Sequence, residues 1–367
     1  MKKTLSMLGL VLLFLLALDT GVGLVLTWAG RSGHLGGLVR YFDYGRSVPG
    51  KLAEWEARPG RPGNLYDVAW RDALLARSAA GFAAEDPAAG PVIRSYGMSF
   101  VNHVTDAAQA QDPALVVDAH AGPGAPPNFT YSLFRDDRAN RRAGDVVVLG
   151  ILSSGVPAMA ALSNRTWVFE QPAPFTYPVF RPAPDPASGE DGLARIEPLV
   201  ATEAQQRALA QDPGAARAWR DQLAQQDAFY GATTFGAPWL DISPFARLVR
   251  RALALRHVAR VEEDLLEGDA YPYAEVLGRM ISGFARMARA DGQVPVVMLI
   301  QTGDRRDADL LAIARPVLER EAIPYLATAT LADPRDTNNF VPDGHYRPEV
   351  DAAFARAFRG LLPGGTR

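Results

Sequence analysis

The chain has 367 residues, of which 48% are hydrophobic, and this is enough for a sizeable core in one large domain or two small ones. A formal net charge of -3, with 22% charged residues, gives no basic field and argues against nucleic acid as a partner. The absence of cysteine excludes disulfides, thiolate metal ligands and a cysteine nucleophile. The five histidines lack the spacing of a zinc site, so we expect neither a metal nor another cofactor.

The N-terminus has the layout of a signal anchor. Lys2 and Lys3 precede an apolar stretch at residues 5–28, which is interrupted by Asp19. The combined stretch is long enough to span a bilayer, so we expect an uncleaved anchor in contact with lipid. It predicts a single-pass protein of the inner (cytoplasmic) membrane whose main domain faces the periplasm or extracytoplasmic side. A cleaved signal peptide and a secreted protein are the alternative, because Asp19 makes the first half resemble a signal-peptide core.

The rest of the chain reads as one α/β domain. We divide the sequence into an anchor (1–30), a juxtamembrane spacer (31–90) and a main domain (91–362) with an insertion at about 167–240. From residue 91, short apolar runs alternate with helical stretches, a pattern typical of a parallel sheet covered on both faces. The predicted strands are residues 92–96, 115–118, 146–151, 294–300 and 323–326. We therefore expect a three-layer α/β/α (flavodoxin-like) fold with a parallel sheet of about five strands.

Candidate functional residues follow the first three predicted strands. Ser99 comes after strand one and begins a helix whose first N–H groups could face an oxyanion, so we predict a nucleophile; a helix N-cap is the alternative. Gly122 and Gly124 come after strand two, where a glycine lets the backbone supply a second N–H, although a simple turn is equally compatible. Ser153 and Ser154 place two hydroxyl donors after strand three.

Asp343 and His345 lie just before the C-terminal helix. An imidazole can take a proton from a hydroxyl nucleophile when a carboxylate fixes its tautomer. An ordinary Pro-Asp-Gly turn followed by a solvated histidine is the alternative. Because ligands bind at the carboxyl ends of parallel strands, we predict that Ser99, His345 and Asp343 form a catalytic triad at that edge of the sheet.

Three further side chains are candidate substrate contacts. His120 follows strand two near the predicted site, with a core or capping role as the alternative. Phe175 and Tyr177 lie in the proline-rich start of the insertion and could stack on sugar rings. Aromatic residues that pin a loop to its own domain would explain these two as well.

These blocks resemble the SGNH, or GDSL-type, serine hydrolase superfamily over about residues 91–362. Carried over residue by residue, Ser99 matches the nucleophile block, Gly122 is preferred over Gly124 as the oxyanion glycine, and Asp343 and His345 match the C-terminal block. The resemblance implies an oxyanion hole formed by the N–H groups of Ser99 and Gly122.

Two positions depart from the family pattern. Met98 stands where the family usually has aspartate, and Ser153 and Ser154 stand where it usually has asparagine. The resemblance therefore implies that a hydroxyl of Ser153 or Ser154 completes the oxyanion hole. Losing an oxyanion donor without replacement costs about 10²- to 10³-fold in rate. A catalytically degenerate SGNH-like glycan-binding or scaffold protein of a polysaccharide assembly system thus stays open as a different class.

The short Asp-x-His spacing looks like that of polysaccharide O-acetyltransferases and many extracytoplasmic members of the superfamily. It implies a serine esterase or O-acyltransferase that acts on O-acyl, in the first place acetyl, groups of a cell-envelope or secreted polysaccharide. The implied partner is an acylated polysaccharide or another ester. A multi-pass membrane acyltransferase is a further partner compatible with this interpretation. Hydrolysis and transfer share an acyl-serine intermediate, and the sequence does not choose between them.

Overall fold

In a computed structural model, the chain divides into two compact units. The structure describes residues 2–34, 70–86, 90–122, 124–163, 176–183, 191–209, 211–231, 242–268, 270–304 and 307–364. The first unit comprises residues 1–66, 163–175 and 204–261, and the second comprises residues 67–162, 176–203 and 262–367. Phe175 and most of the predicted spacer at 31–90 lie outside the described residues.

The second unit contains a five-stranded parallel sheet. Its strands are β1 (Val92–Gly97), β2 (Val116–Ala121), β3 (Val146–Leu152), β6 (Val294–Ile300) and β7 (Tyr325–Ala327), and an antiparallel hairpin of β4 (Val179–Pro182) and β5 (Leu193–Ile196) comes between β3 and β6 in the chain. The strand order is β2-β1-β3-β6-β7, and every pair in it is parallel. Strands β1, β3 and β6 are buried almost throughout, which explains their continuous apolar runs. The predicted α/β class and five parallel strands are confirmed, with small shifts at the strand ends.

The two units together contain the helices of the chain. The helices among the described residues are α1 (Lys2–Ser32), α2 (Arg71–Ala84), α3 (Ser99–Gln111), α4 (Pro127–Asp136), α5 (Glu203–Ala208), α6 (Pro213–Gln226), α7 (Pro244–Glu267), α8 (Tyr273–Ala290), α9 (Leu310–Arg320) and α10 (Pro348–Arg359). Within the second unit, α3 packs against α10, and α8 packs against α9 and α4. The amphipathic spacing of Phe354 and Phe358 explains the first of these contacts, because both side chains are fully buried.

In the first unit, the N-terminal helix α1 contains a stretch, Ser6–Ser32, that is long and apolar enough to cross a membrane. Its 27 residues correspond to about 40 Å of helix, against roughly 30 Å of hydrocarbon in a bilayer. The predicted N-terminal apolar helix is therefore present. Leu8, Leu12 and Leu16 are exposed along it.

Two glycines let α3 begin directly over the sheet. A β-carbon on Gly97 would lie 2.8 Å from Val101 of α3, and one on Gly150 of β3 would lie 2.4 Å from the same side chain. The Gly150 position would also meet the Gly97 Cα at 3.2 Å. The N-terminus of α3 thus approaches β1 and β3 more closely than any larger residue at these positions allows.

We predict that Gly150→Ala destabilises the fold by about 1–3 kcal/mol, because the added methyl group must displace Val101 or the neighbouring strand. Gly81→Ala is the matched control, since Gly81 is exposed within α2 and a β-carbon there meets nothing within 4 Å. The control should be neutral or stabilise by up to ~1 kcal/mol. Urea unfolding of the full chain in detergent micelles measures both changes. Equal stabilities of the two variants would contradict the packing argument.

Candidate active site

Ser99 lies where β1 passes into α3. Met98 precedes it as the helix N-cap, with extended backbone angles (φ -141°, ψ 179°) and a fully buried side chain. Because Ser99 is the first helical residue, its N–H belongs to the first turn, where helices have no internal partners for N–H groups. The Ser99 hydroxyl makes no cap hydrogen bond; its Oγ lies 2.6 Å from His345 Nε2. The alternative N-cap role is therefore taken by Met98.

The loop that carries His345 is fixed to the sheet by the next residue, Tyr346. The buried Tyr346 hydroxyl donates to the carbonyl of Gln301, directly after β6, and its ring stacks on Phe340 with centroids 4.7 Å apart. The carbonyl of His345 accepts a hydrogen bond of 2.8 Å from the Val341 N–H. These contacts fix the backbone on both sides of the imidazole.

Asp343 orients the His345 ring from the opposite side to Ser99. Its Oδ1 lies 3.1 Å from His345 Nδ1 and accepts the His345 N–H at 3.0 Å. The turn is closed by Gly344, whose φ of 91° is in the left-handed region that favours glycine. The backbone N–H of His345, followed by its ring, lowers the pKa of Asp343. An ionised carboxylate only accepts hydrogen bonds, so Nδ1 carries the proton and Nε2 of the neutral ring can accept from Ser99.

Two rings from α3 flank the imidazole. The centroids of Phe100 and His103 lie 4.7 Å and 4.9 Å from that of His345. His103 also lies 3.6 Å from a carboxylate oxygen of Asp351 on α10. Burial lowers the pKa of His103, and the charge of His345 lowers it further. Our sequence reasoning missed His103, although its position four residues after Ser99 on a predicted helix placed both on one face.

The position of Gly122 corrects the prediction for the oxyanion hole. Its N–H donates to the carbonyl of Gly97 at 3.1 Å and so extends the ladder between β1 and β2. A β-carbon on Gly122 would lie 2.5 Å from Phe129, which explains the glycine by packing. The N–H of Gly122 is therefore not available to an oxyanion in this structure. Gly124, the second choice, has a φ of 53° and open space around its Cα.

Ser153 also differs from its predicted role. Its buried hydroxyl donates a hydrogen bond to Asp307 Oδ2 at 3.1 Å and accepts one from the Thr302 N–H at 2.9 Å. The Thr302 hydroxyl lies 3.0 Å from the same Oγ. A hydroxyl has one proton, so Ser153 joins the ends of β3 and β6 instead of donating to an oxyanion. Ser154, its half-buried neighbour, is the remaining serine at the end of β3.

The structure assigns two of the predicted substrate contacts to the core. His120 lies within β2, stacks on Tyr96 at 5.2 Å and approaches Asp118 Oδ2 at 3.1 Å. Tyr177 is buried and packs edge-on against Phe129 at 6.1 Å. Neither ring is exposed enough to stack on a sugar, so the alternative core roles apply to both.

A cleft of about 550 Å³ lies beside the loop that carries Asp343 and His345. The lining residues include Val341, Pro342 and Gly344 from that loop, Thr302 and Gly303 after β6, and Pro334, Thr337 and Phe340. Arg335 and Arg347 are its charged lining residues, and both are exposed. The cleft therefore borders the loop of Asp343 and His345 through Gly344, which lies between them.

Comparison with protein-family models, with curated proteins and with solved structures found no match to this chain. The case for a function therefore depends on the geometry of the site.

Asp351 makes the stability of this region depend on pH. Burial raises the pKa of its carboxyl to about 7, and its buried Oδ1 accepts no hydrogen bond from the described residues. In the unfolded chain the pKa is about 3.9. The carboxyl of Asp351 keeps its proton to a higher pH in the folded state than in the unfolded chain. Its contribution to the free energy of unfolding is therefore fully present below pH 4 and is lost as the pH rises to about 7. His103, the ring facing Asp351, has a lowered pKa and is neutral in the upper part of this range.

We therefore predict that Asp351→Asn gains stability relative to wild type between pH 4 and pH 7, by up to roughly 1.4 kcal/mol per pH unit. Thermal unfolding of the full chain in detergent micelles across this range measures the difference. Glu349→Gln is the control, because Glu349 is exposed in the same helical turn. Parallel curves for wild type and Asp351→Asn would show that the buried carboxyl does not titrate as expected.

Proposed function

We propose that this protein is a membrane-anchored serine esterase or O-acyltransferase of the SGNH type, acting on O-acyl groups of a polysaccharide through an acyl-serine intermediate. One observation carries the proposal. Ser99 Oγ, His345 Nε2, His345 Nδ1 and Asp343 Oδ1 form a continuous chain with separations of 2.6 Å and 3.1 Å on either side of the ring. Nucleophile, base and orienting carboxylate stand in hydrogen-bond contact, as nucleophilic catalysis by serine requires.

In the proposed reaction, the Ser99 hydroxyl attacks the ester carbonyl while His345 Nε2 takes its proton. Asp343 steadies the imidazolium by accepting from Nδ1. When the tetrahedral intermediate collapses, His345 returns the proton to the departing alcohol oxygen and Ser99 keeps the acyl group. Water or a sugar hydroxyl then gives a proton to His345 and attacks the acyl-serine. When this second tetrahedral intermediate collapses, His345 passes the proton to the departing Ser99 Oγ, which regenerates the free hydroxyl and releases the acid or the acylated sugar.

We assign the oxyanion hole to the N–H of Ser99 and the N–H of Gly124, with the Ser154 hydroxyl as a third donor. The Ser99 N–H is supported by its place in the first turn of α3, where the helix dipole also favours negative charge. Gly124 replaces Gly122 because the N–H of Gly122 is already bonded. Ser154 is the other serine directly after β3 to which the resemblance gives this role, and the hydroxyl of Ser153 is held by Asp307.

We infer that the second unit has the three-layer, flavodoxin-like arrangement. The sheet order β2-β1-β3-β6-β7, counted along the five parallel strands alone, is 2-1-3-4-5, the order of that fold. In such sheets, ligands bind where the strand order reverses, between the carboxyl ends of the first and third strands. Ser99 follows β1 and the Ser153-Ser154 pair follows β3, so both flank this point.

The substrate and location that we propose follow from the cleft and the anchor. An open cleft of about 550 Å³ beside His345 suits a section of a polymer better than an enclosed small molecule. An apolar helix at the N-terminus supports attachment to the cytoplasmic membrane, with the catalytic unit on the extracytoplasmic side. A multi-pass membrane acyltransferase would then be the partner that delivers the acyl group.

A second candidate function is a glycan-binding or scaffold protein without turnover. The observation that favours it is the position of Ser153, because the residue that follows β3 directly gives its hydroxyl to Asp307. If Ser154 does not reach the oxyanion, the site has two backbone donors and no side-chain donor. Such a protein would keep the cleft and lose most of the rate enhancement.

We predict that a fluorophosphonate probe labels the wild-type chain in detergent micelles and does not label Ser99→Ala. His345→Ala should reduce labelling strongly, since its Nε2 accepts the Ser99 proton. Ser95→Ala is the matched serine control, because Ser95 is buried in β1 and its hydroxyl has no partner among the described residues. Equal labelling of Ser99→Ala and Ser95→Ala, or no labelling of wild type, would refute the nucleophile.

We further predict that the wild-type chain hydrolyses an activated acetyl ester and that Ser99→Ala lowers the rate by about 10³-fold or more. Adding a polysaccharide acceptor to the same assay separates the two activities. Acetate release alone identifies an esterase, whereas acetylated polysaccharide detected by mass spectrometry identifies a transferase. Labelling by the probe without either product would favour the non-catalytic candidate.

A further inference from the structure

The N-terminus of α7 is bonded to the middle of the apolar helix α1. Within the first unit, the Ser243 hydroxyl donates to Asp19 Oδ1 at 2.6 Å, and the Phe245 N–H donates to the same oxygen at 2.9 Å. A β-carbon on Gly23, one turn further along α1, would lie 3.3 Å from the ring of Pro244. Asp19 therefore has its partners in a second helix rather than in water.

Asp19 lies inside the hydrocarbon for any placement of α1 across a bilayer. A span of about 20 residues is needed, so even a span that starts at Leu5 ends near Leu24. Asp19 would then lie about 7 Å below the boundary, and a later start places it deeper. A charged residue within the hydrocarbon is unfavourable unless it is compensated. The two hydrogen bonds and the positive end of the α7 dipole supply that compensation.

The backbone N–H groups in the first turn of α7 have hydrogen-bond partners within the protein. Pro244 has no N–H, and the Phe245 N–H donates to Asp19. The Ala246 N–H donates to Ser243 Oγ at 3.0 Å. The Arg247 N–H donates to the Ser243 carbonyl at 2.9 Å. In water, such groups are satisfied by caps or by the solvent. In hydrocarbon, every backbone polar group must find an internal partner. The satisfied N-terminus thus fits an apolar surrounding.

One face of α7 carries an exposed apolar stripe that starts at this N-terminus. Phe245, Val249 and Leu253, spaced by four residues, are 38%, 43% and 58% exposed. The same face continues with exposed Arg256 and Arg260, and then with acidic side chains at the C-terminal end of the helix. From Phe245 to Leu253 the stripe covers about 12 Å, close to the roughly 15 Å of one hydrocarbon leaflet.

We propose that the N-terminal half of α7 is a second membrane-embedded segment, docked on α1 through Asp19, with Phe245, Val249 and Leu253 facing lipid chains. Arg256 and Arg260 then lie at the headgroup level, where arginines meet lipid phosphates. The proposal rests on the membrane anchoring of α1 and is independent of the catalytic assignment. The occupant of the stripe is the bilayer because the stripe starts at the depth of Asp19 and changes from apolar to basic to acidic along its length.

Site-directed spin labelling of the full chain tests the proposal, since the sequence contains no cysteine. Phe245→Cys, Val249→Cys, Leu253→Cys and Asp264→Cys are each labelled and reconstituted in vesicles of phosphatidylcholine and phosphatidylglycerol. Leu12→Cys on α1 is the embedded reference and Glu319→Cys on α9 the aqueous one, because both side chains are exposed. Collision with oxygen reports hydrocarbon, and collision with a water-soluble nickel chelate reports water.

We expect labels at 245, 249 and 253 to match the Leu12 reference, and a label at 264 to match the Glu319 reference. Nickel access at 245, 249 and 253 with an embedded label at 12 would overturn this proposal and leave the anchor intact. Protection from both reagents would mean that a second copy or another protein covers the stripe, which also overturns it. A water-exposed label at 12 would refute the anchor itself.

Asp19→Leu tests the docking contact. A leucine at this position makes α1 more apolar, but it removes the oxygen that accepts from Ser243 and Phe245. We expect nickel access at 245 to increase while the label at 12 stays embedded. An unchanged label at 245 would show that Asp19 does not hold α7 in place.

Discussion

The close approach of α3 to the sheet is the constraint on which the candidate site depends. Gly97 and Gly150 leave the space that Val101 fills, and a β-carbon on either would come within 3 Å of that side chain. Ser99 lies two residues before Val101, so a displaced helix would carry the hydroxyl with it. His345 is attached to the end of β6 through Tyr346, whose hydroxyl donates to the Gln301 carbonyl. A 2.6 Å contact between residues 246 positions apart therefore requires both attachments to be correct at once.

The ring of His345 lies between the carboxylate of Asp343 and two rings of α3. Asp343 is ionised and accepts from Nδ1, although its side chain is 69% exposed, so solvent screens part of its effect. The ring of His103 lies tilted beside that of His345, with centroids 4.9 Å apart, and a positive charge there would oppose an imidazolium in the proposed reaction. Burial lowers the pKa of His103, which keeps this neighbour neutral near pH 7. The proposed base would thus depend more on the absence of a competing charge than on a deeply buried carboxylate.

The sequence predicted which side chains meet where this depends on position along a strand, and it did not predict contacts that depend on a distant partner. Strand ends placed Ser99, Asp343 and His345 at one edge, because parallel topology alone brings such ends together. The role of Ser153 is decided by Asp307, which follows 154 residues later, and neither spacing nor residue type indicates that hydrogen bond. The N–H of Gly122, which we predicted to face an oxyanion, pairs instead with a carbonyl on a neighbouring strand.

Asp19 changes how the N-terminus is interpreted. As sequence, a charge within an apolar run resembles the end of a signal-peptide core and favours cleavage. In the structure, its carboxylate caps α7 through Ser243 and Phe245, so a cleavage that removed Asp19 would leave these two donors without an acceptor. These bonds join residues more than 200 positions apart. They are the observation behind our proposal that α1 stays attached and that the first turn of α7 lies with it in the membrane.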